Sequence, residues 1–148
     1  MKYLTLILLI SVSLTAISQE KPSETLLITT AVENYFYGYI ERDGIKLYKA
    51  FDTQNGTMKI PEKSGDAIIG YKNGYFKNII PKWANRAKLS KTELDACKLT
   101  ISNIAIENNQ MAIVKLKMEV GDKTYIDILS LQKIKGNWKI TNKMYISI

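Results

Sequence analysis

From residue 98 to its end, the chain alternates apolar and polar side chains with a period of two, the pattern of half-buried β-strands. Three short breaks contain Gly or Asn, which accept the positive φ of two-residue hairpin loops: Asn108-Asn109, Gly121-Asp122 and Lys135-Gly136. The pattern predicts antiparallel strands at 98–107, 110–120, 123–134 and 137–147. Such a meander exposes one apolar face, so the rest of the chain has to cover it.

Two-residue loops also predict the register, because cross-strand partners then follow residue by residue from each loop. Starting with Ile134 opposite Asn137, this register places Asp127 opposite Met144. The resulting inner face is apolar except for Asp127 and Asn142. Its members are Ala112, Val114, Leu116, Met118, Tyr125, Asp127, Leu129, Leu131, Trp138, Ile140, Asn142 and Met144. A buried carboxylate needs hydrogen-bonding partners or a wet cavity. Asp127 and Asn142 therefore either form a structural pair, bonded to each other, to Tyr35 or Tyr39 or to a helix terminus, or mark the place over which any ligand site lies.

The opposite face of the predicted sheet is mostly polar, and Lys139, Thr141 and Lys143 are among its members. Ile113, Ile126 and Ile128 form an apolar patch on this face. Apolar patches on an otherwise polar surface often mark interfaces. A homodimer through this patch is therefore one hypothesis. The first strand fits the alternation less well, since regular pairing points Asn103 inward and Ile104 and Ile106 outward; a β-bulge in this strand is the alternative.

The N-terminal half supplies the covering helices. Apolar residues at intervals of three and four predict a helix over 24–42, with Ser23 as its N-cap. Gly38 inside it would allow another backbone or a ligand to approach closely. A second helix is predicted over 45–51 and a third over 73–85, which should end or kink near Ile80 because Pro81 follows.

The remaining segments are shorter. Residues 57–60 are β-like and are predicted to stop at Pro61, and residues 67–71 form a brief predicted strand. Residues 88–93 are predicted to be a polar linker. Helices first and an antiparallel meander after them is the α+β layout.

The first 18 residues have the pattern of a secretory signal. Lys2 is followed by an apolar run and then by small residues, with Ala16 and Ser18 at −3 and −1 of a cut before Gln19. The apolar run is shorter than the ~20 residues of a membrane-spanning helix. We therefore expect a signal peptide at 1–18 and one domain at 19–148, exported to the periplasm or secreted, with no stable membrane anchor after cleavage.

The composition narrows the classes of function. The chain has no histidine, which excludes a His-Asp dyad, and its single cysteine, Cys97, excludes an intrachain disulfide. The formal net charge is +7, but the lysines are scattered and no nucleic-acid recognition motif is present. We expect no nucleic-acid partner, no metal site and no cofactor.

Three stretches resemble a known family. They are 32–43 (VENYFYGYIERD), the second helix ending in Ala50-Phe51, and the last two strands, with Tyr125-Ile126-Asp127, then 129–131 (LSL) and 136–143 (GNWKITNK). Together they resemble the lumazine-binding branch of the nuclear transport factor 2-like superfamily over nearly all of the mature chain. The chain departs from the family at Phe51-Asp52-Thr53, where members often have Phe-His-Pro.

The resemblance implies an α+β fold of the cystatin-like cone type. In such a cone, a strongly curved antiparallel sheet of four long strands, plus one or more short N-terminal strands, wraps around about three helices. It also implies a pocket between the sheet and the first helix. Catalytic relatives, similar to ketosteroid isomerase or scytalone dehydratase, use Asp, Tyr and often His in that pocket.

These observations leave three hypotheses of function open. The first is an exported, non-catalytic domain that binds a small apolar or aromatic molecule, with contacts from Tyr35, Tyr39, Trp83 and Met144 and orientation by Asp127 and Asn142. The second is a cofactor-free isomerase or dehydratase in which Asp127 is the general base. The third is a protein-interaction module that uses the outer face of the sheet.

Overall fold

The computed structural model describes residues 21–148. The predicted signal peptide and its cleavage point near Ser18 lie outside the described residues, so the export of the chain stays a prediction. Over residues 21–148, no helix combines the length and the apolar character needed to cross a membrane.

The described chain forms helices and strands in the predicted α+β order. The helices are α1 (Glu24–Glu41), α2 (Gly44–Ala50), α3 (Phe76–Ala84) and α4 (Lys91–Ala96). The strands are β1 (Thr57–Ser64), β2 (Ala67–Tyr75), β3 (Lys98–Glu107), β4 (Met111–Val120), β5 (Lys123–Ile134) and β6 (Asn137–Ser147). The helix α1 begins at its predicted cap, where the Ser23 hydroxyl accepts a 3.2 Å hydrogen bond from the Leu26 amide.

The strands make one curved six-stranded sheet in the order β2-β1-β6-β5-β4-β3. The meander β3 to β6 is antiparallel throughout, as predicted, and the two hairpin loops Asn108-Asn109 and Lys135-Gly136 have positive φ at both residues. The strand β1 joins this meander in parallel with β6, so the whole sheet is mixed. The α+β, cystatin-like fold class is confirmed.

The first hairpin is longer than predicted. The strand β1 continues through Pro61, because β6 covers only Thr57–Lys59 and Pro61 therefore has a neighbouring strand, β2, on one side alone. The strand β2 extends to Tyr75, so the predicted helix over 73–85 begins only at Phe76.

Two helices also differ from the prediction. The helix α3 continues past Pro81 to Ala84, where Trp83 and the preceding Ile80 are buried in the core. This packing offsets the one backbone hydrogen bond that proline removes. The helix α4 begins inside the predicted linker, and its start is fixed by a capping box between Ser90 and Glu93.

Helix α1 packs on the inner face of the sheet and against α2. Gly38 is the point of closest approach: a Cβ atom there would lie 2.8 Å from Leu47 Cγ and 2.9 Å from the Leu47 amide nitrogen. The backbone of α2 is therefore the neighbour that requires glycine in the middle of α1. The first turn of α1 is tied to the last hairpin, since Glu24 accepts hydrogen bonds from Lys133 Nζ (2.6 Å) and Trp138 Nε1 (2.7 Å).

A β-bulge in β6 changes the predicted register. Leu131 pairs with Ile140 as expected, but Ser130 pairs with Asn142, so Thr141 is an extra residue on β6. The Thr141 hydroxyl donates a 3.2 Å hydrogen bond to the Ser130 carbonyl. Because one extra residue reverses the alternation that follows it, every side chain of β6 beyond the bulge changes face.

The predicted register is consequently wrong in the second half of β6. Asp127 lies opposite Tyr145 rather than Met144, and Leu129 lies opposite Lys143 rather than Asn142. A similar extra residue, Ser102, turns the outer end of β3 the other way. It places Ile104 opposite buried Val114, which moves Asn103 off the inner face.

Candidate functional site

The centre of the site is a buried cluster of three side chains. The Tyr35 hydroxyl of α1 donates a 2.9 Å hydrogen bond to Asp127 Oδ2 of β5. The ammonium group of Lys143, on β6, makes an ion pair with the same oxygen. The relative exposures are 1% for Tyr35, 0% for Asp127 and 2% for Lys143, so water does not screen the cluster.

Burial governs the protonation of this cluster. Burial raises the pKa of the Tyr35 phenol well above its usual value, and the adjacent Asp127 carboxylate raises it further. Burial also lowers the pKa of Lys143, while the Asp127 carboxylate opposes that shift. The phenol therefore stays protonated and donates a hydrogen bond. Burial disfavours the charge of Lys143, and the Asp127 carboxylate is the group that stabilises this charge.

The cluster has unused hydrogen-bonding capacity. Among the described residues, none donates a hydrogen bond to Asp127 Oδ1, and none forms a well-directed hydrogen bond with Lys143 Nζ. The lysine ammonium instead faces two aromatic rings, with 5.3 Å to the centroid of Tyr35 and 4.8 Å to that of Tyr145. Buried polar groups are normally paired, so these two atoms call for an explanation.

A cavity of about 250 Å³ lies beside the cluster, between α1, the end of α3 and the inner face of the sheet. Its walls combine aromatic, sulfur-containing and basic side chains. The lining residues are Tyr35, Tyr39, Met58, Trp83, Arg86, Met118, Lys123, Tyr125, Lys143, Tyr145 and Ser147. More of the lining surface is polar than apolar, because phenol, ammonium and guanidinium groups stand beside the rings. Convergent polar groups of this kind fix the orientation of small molecules in binding sites.

The aromatic walls are packed into a connected group. Tyr35 and Trp83 are stacked with their centroids 6.0 Å apart, and Tyr39 meets Trp83 edge to face at 5.4 Å. The Tyr39 hydroxyl donates to the Tyr125 hydroxyl at 3.4 Å and accepts from Arg86 Nη1 at 2.7 Å. These contacts hold both phenol groups at the cavity in fixed orientations.

The structure brings some of the predicted site residues together and separates others. Tyr35, Tyr39 and Trp83 line the cavity, and Asp127 lies directly behind it in contact with Tyr35. Whether these four residues contact a ligand stays a prediction.

Asn142 and Met144 do not line the cavity, because the bulge at Thr141 puts them on the outer side of β6. The Asn142 amide instead donates hydrogen bonds to the Thr57 carbonyl (3.3 Å) and hydroxyl (3.0 Å), which joins β6 to β1. Their predicted place beside Asp127 is therefore corrected.

Sequence reasoning missed Lys143, which it assigned to the solvent side, and also Arg86 and Tyr145. A signal for the true register was present in the apolar patch of the outer face. Shifting β6 by one residue pairs Ile128 with Met144 and Ile126 with Ile146, as the structure does. Four apolar side chains then meet on one face, whereas the predicted register places Ile128 opposite Lys143 and Met144 opposite Asp127.

This outer face carries a second concavity of about 530 Å³. Its lining residues are Lys59, Tyr71, Ile126, Ile128, Met144, Tyr145 and Ile146. Several are exposed, including Ile128 (41%), Met144 (46%) and Tyr71 (54%), and Ile113 of the predicted patch is 54% exposed.

Within residues 21–148, no three His, Cys, Asp or Glu side chains are grouped so as to hold a metal ion.

Solved structures with the same fold include three informative neighbours. An NTF2-like protein of unknown function from Shewanella baltica OS155 aligns with a TM-score of 0.70 and 18% identity, over 84% of this chain and 94% of its own. A cystatin-like fold protein from Burkholderia xenovorans LB400 aligns at 0.62 and 14%, over 86% and 94%. A ketosteroid isomerase-like protein from Erwinia carotovora atroseptica aligns at 0.60 and 13%, over 84% and 96%.

At these identities the neighbours establish the fold alone. A comparison with curated proteins finds no significant match. The model of the family described as "Putative lumazine-binding" matches residues 23–146, which is almost the whole described chain. The chain therefore belongs to this family, and it shares the fold of the NTF2-like structures named above.

Proposed function

We propose that this protein is an exported, non-catalytic domain that binds a small, largely aromatic molecule in the cavity between α1 and the sheet. The observation that carries the proposal is the cavity of about 250 Å³ beside the Tyr35–Asp127–Lys143 cluster. Its aromatic walls offer stacking surfaces, and its polar groups converge from three different elements. The name of the matched family agrees with a small-molecule ligand.

Asp127 supports a binding role rather than a catalytic one. Its side chain is fully buried, it is absent from the cavity lining, and its Oδ2 already holds Tyr35 and Lys143. A general base needs hydrogen-bonding reach to the substrate proton, and these partners lie between Asp127 and the cavity.

The retained ligand provides the test. Native mass spectrometry of the purified protein is expected to show a bound small molecule that denaturation releases. Ser147→Trp should fill the cavity and abolish this extra mass, whereas Ile148→Trp, one residue further on and outside the lining, should preserve it. The same mass for the wild type with and without denaturation would contradict the proposal.

The enzyme alternative keeps one supporting observation. The Tyr35–Asp127 pair combines a phenol and a carboxylate next to a cavity, and one structural neighbour is described as ketosteroid isomerase-like. If the protein isomerises an enolisable ketone, Asp127→Asn should abolish turnover while circular dichroism shows a retained fold. Turnover equal to that of the wild type would reject Asp127 as the base.

We also propose that the outer face forms a homodimer. Ile113, Ile128 and Met144 are exposed on the adjacent strands β4, β5 and β6, and the concavity on this face is mostly apolar. Sedimentation should give a dimer for the wild type and a monomer for Ile128→Lys. A wild type that is monomeric at high concentration would contradict this assembly, and recovery of a different protein partner that Ile128→Lys loses would favour the interaction-module alternative.

Export is the remaining part of the proposal. Expressed with its own first 18 residues in a Gram-negative host, the protein should appear in the periplasmic fraction with Gln19 at its N-terminus. Full-length protein retained in the membrane fraction would contradict cleavage.

A further inference from the structure

The charged side chains around the cavity all have the same sign. Arg86 and Lys123 lie at its exposed edge and Lys143 lies at its buried end, while the lining contains no Asp or Glu. Asp127, the carboxylate behind the wall, is already engaged by Lys143. The cavity thus presents positive charge to whatever enters it.

Arg86 is held in place by Tyr39, but no carboxylate among the described residues pairs with it. Its Nη1 donates to the Tyr39 hydroxyl at 2.7 Å, and its guanidinium lies 5.5 Å from the centroid of the same ring. Among residues 21–148, no carboxylate lies within ion-pair distance of Arg86 or of Lys123. A guanidinium that an aromatic ring holds in place keeps donors available for a planar anion such as a carboxylate.

Lys143 provides a second and independent observation. Its ammonium is buried, it belongs to the cavity lining, and beyond its ion pair with Asp127 the described chain gives its protons no well-directed acceptor. A ligand oxygen in the cavity would supply the missing acceptor. It would also favour the charged lysine, whose pKa burial lowers.

The rings set the shape of the rest of the ligand. Tyr35, Tyr39, Trp83, Tyr125 and Tyr145 all line the cavity, so a flat apolar body can stack on or abut a ring on several sides. The cavity volume of about 250 Å³ is just below the roughly 300–1,000 Å³ of drug-sized sites. A body of one or two fused rings suits that volume.

We propose that the ligand is a small aromatic anion whose charged oxygen group binds between Lys143 and Arg86 while its ring lies among the tyrosines. The inference rests on the proposed function, because it names the chemical class that the same cavity takes. It adds a charge requirement that a purely apolar or neutral aromatic ligand would not satisfy.

The test compares two probes of nearly the same shape that differ in charge. One is 2-naphthoate, which is anionic at pH 7, and the other is neutral 2-naphthamide. Titration followed by intrinsic tryptophan fluorescence and by calorimetry is expected to show 2-naphthoate binding at least tenfold more tightly. Added salt should reduce this preference, because the edge of the cavity is open to solvent.

Variants show which side chains cause the preference for 2-naphthoate over 2-naphthamide. Arg86→Gln removes an exposed charge and should reduce the affinity for 2-naphthoate severalfold without changing that for 2-naphthamide. Lys88→Gln removes an equal charge two residues away, outside the cavity, and should change neither. Added to Arg86→Gln, the paired change Asp127→Asn with Lys143→Met removes the buried lysine without leaving an unpaired charge, and it should abolish the preference that Arg86→Gln leaves.

The outcomes separate this inference from the proposed function. Equal affinity of the wild type for both probes would overturn the charge requirement and leave an aromatic binding site. An equal loss of 2-naphthoate affinity in Arg86→Gln and Lys88→Gln would also overturn it, since the effect would then be one of overall charge. Binding of neither probe would overturn both proposals.

Discussion

The phenol of Tyr35 on α1 donates a 2.9 Å hydrogen bond to Asp127 Oδ2 on β5, across a sequence separation of 92 residues. This bond joins the first helix to the middle of the sheet at the point where Lys143 is buried. Because both partners are inaccessible to water, losing either one leaves a polar group that solvent cannot satisfy.

We predict that Tyr35→Phe lowers the free energy of unfolding by about 1.5–3 kcal/mol, the usual range for a hydrogen bond to a charged group. Urea unfolding measures the change. Tyr37→Phe is the matched control, since Tyr37 is 45% exposed on the same helix and should change stability by less than about 0.5 kcal/mol. Similar losses in the two variants would show that the hydrogen bond contributes little.

The Asp127–Lys143 pair should be strongly non-additive. Either Asp127→Asn or Lys143→Met alone leaves one buried group without its partner and should cost about 3–5 kcal/mol. The double variant should cost less than the sum of the two, because no unpaired charge remains. Urea unfolding of the four proteins in this cycle gives the coupling energy.

The exposed pair Lys117–Glu119 is the control for that cycle. Its partners are about 43% and 34% exposed, so its coupling should be about 0–1 kcal/mol. A coupling energy of this size for Asp127 and Lys143 as well would contradict the picture of a buried, unscreened ion pair.

Acid should weaken the attachment of α1 to the last hairpin. The hydrogen bonds from Lys133 and Trp138 lower the pKa of Glu24 in the folded state. A carboxyl group with a lowered folded-state pKa stabilises the fold above its unfolded pKa of about 4.3, and it loses this contribution as the pH falls through the folded value.

Glu24→Gln should therefore be less stable than the wild type at pH 7, and the difference should shrink below about pH 4.3. Urea midpoints measured from pH 7 to acid provide the comparison. Glu33→Gln, on the exposed side of the same helix, is the control for removing a carboxylate from α1. A Glu24→Gln deficit that persists unchanged in acid would exclude the charge of Glu24 as its cause.

Two glycines in helices should respond oppositely to alanine. Gly38→Ala gains about 1 kcal/mol of helix propensity but places a Cβ 2.8 Å from Leu47 Cγ, so we expect a net loss of about 1–3 kcal/mol. Gly44→Ala would meet its nearest atom at an ordinary 3.5 Å and should be neutral or stabilising. Thermal unfolding compares them, and a stabilised Gly38→Ala would show that α1 and α2 can separate at no cost.

The sequence predicted the elements of the meander well because each depends on local signals. Alternation and loop chemistry located β3 to β6 to within a residue, and the spacing of apolar residues located α1. The long β1–β2 hairpin was harder to predict, since a proline is tolerated there only because β6 ends its pairing with β1 at Lys59. That fact belongs to the tertiary structure.

The candidate site was predicted only in part, because some of its residues depend on local signals and others depend on the tertiary structure. Tyr35, Tyr39 and Trp83 follow from helical spacing, and Asp127 follows from the regular alternation of β5. Lys143 does not, because its side of the sheet depends on one extra residue whose presence no local propensity announces. A lysine in an alternating strand is ordinarily a solvent-facing residue.

Which side chains of β6 face the cavity depends on Thr141, because this extra residue decides the face of the sheet to which each later side chain points. A chain lacking Thr141 would keep every other residue and yet present Met144 and Ile146 to α1, with Lys143 turned to the solvent. Acylation of Lys143, mapped by mass spectrometry, should then become fast in the deletion variant and stay slow in the wild type. A single-residue deletion would thus take the buried lysine away from the cavity and leave the buried Asp127 carboxylate without its ion-pair partner.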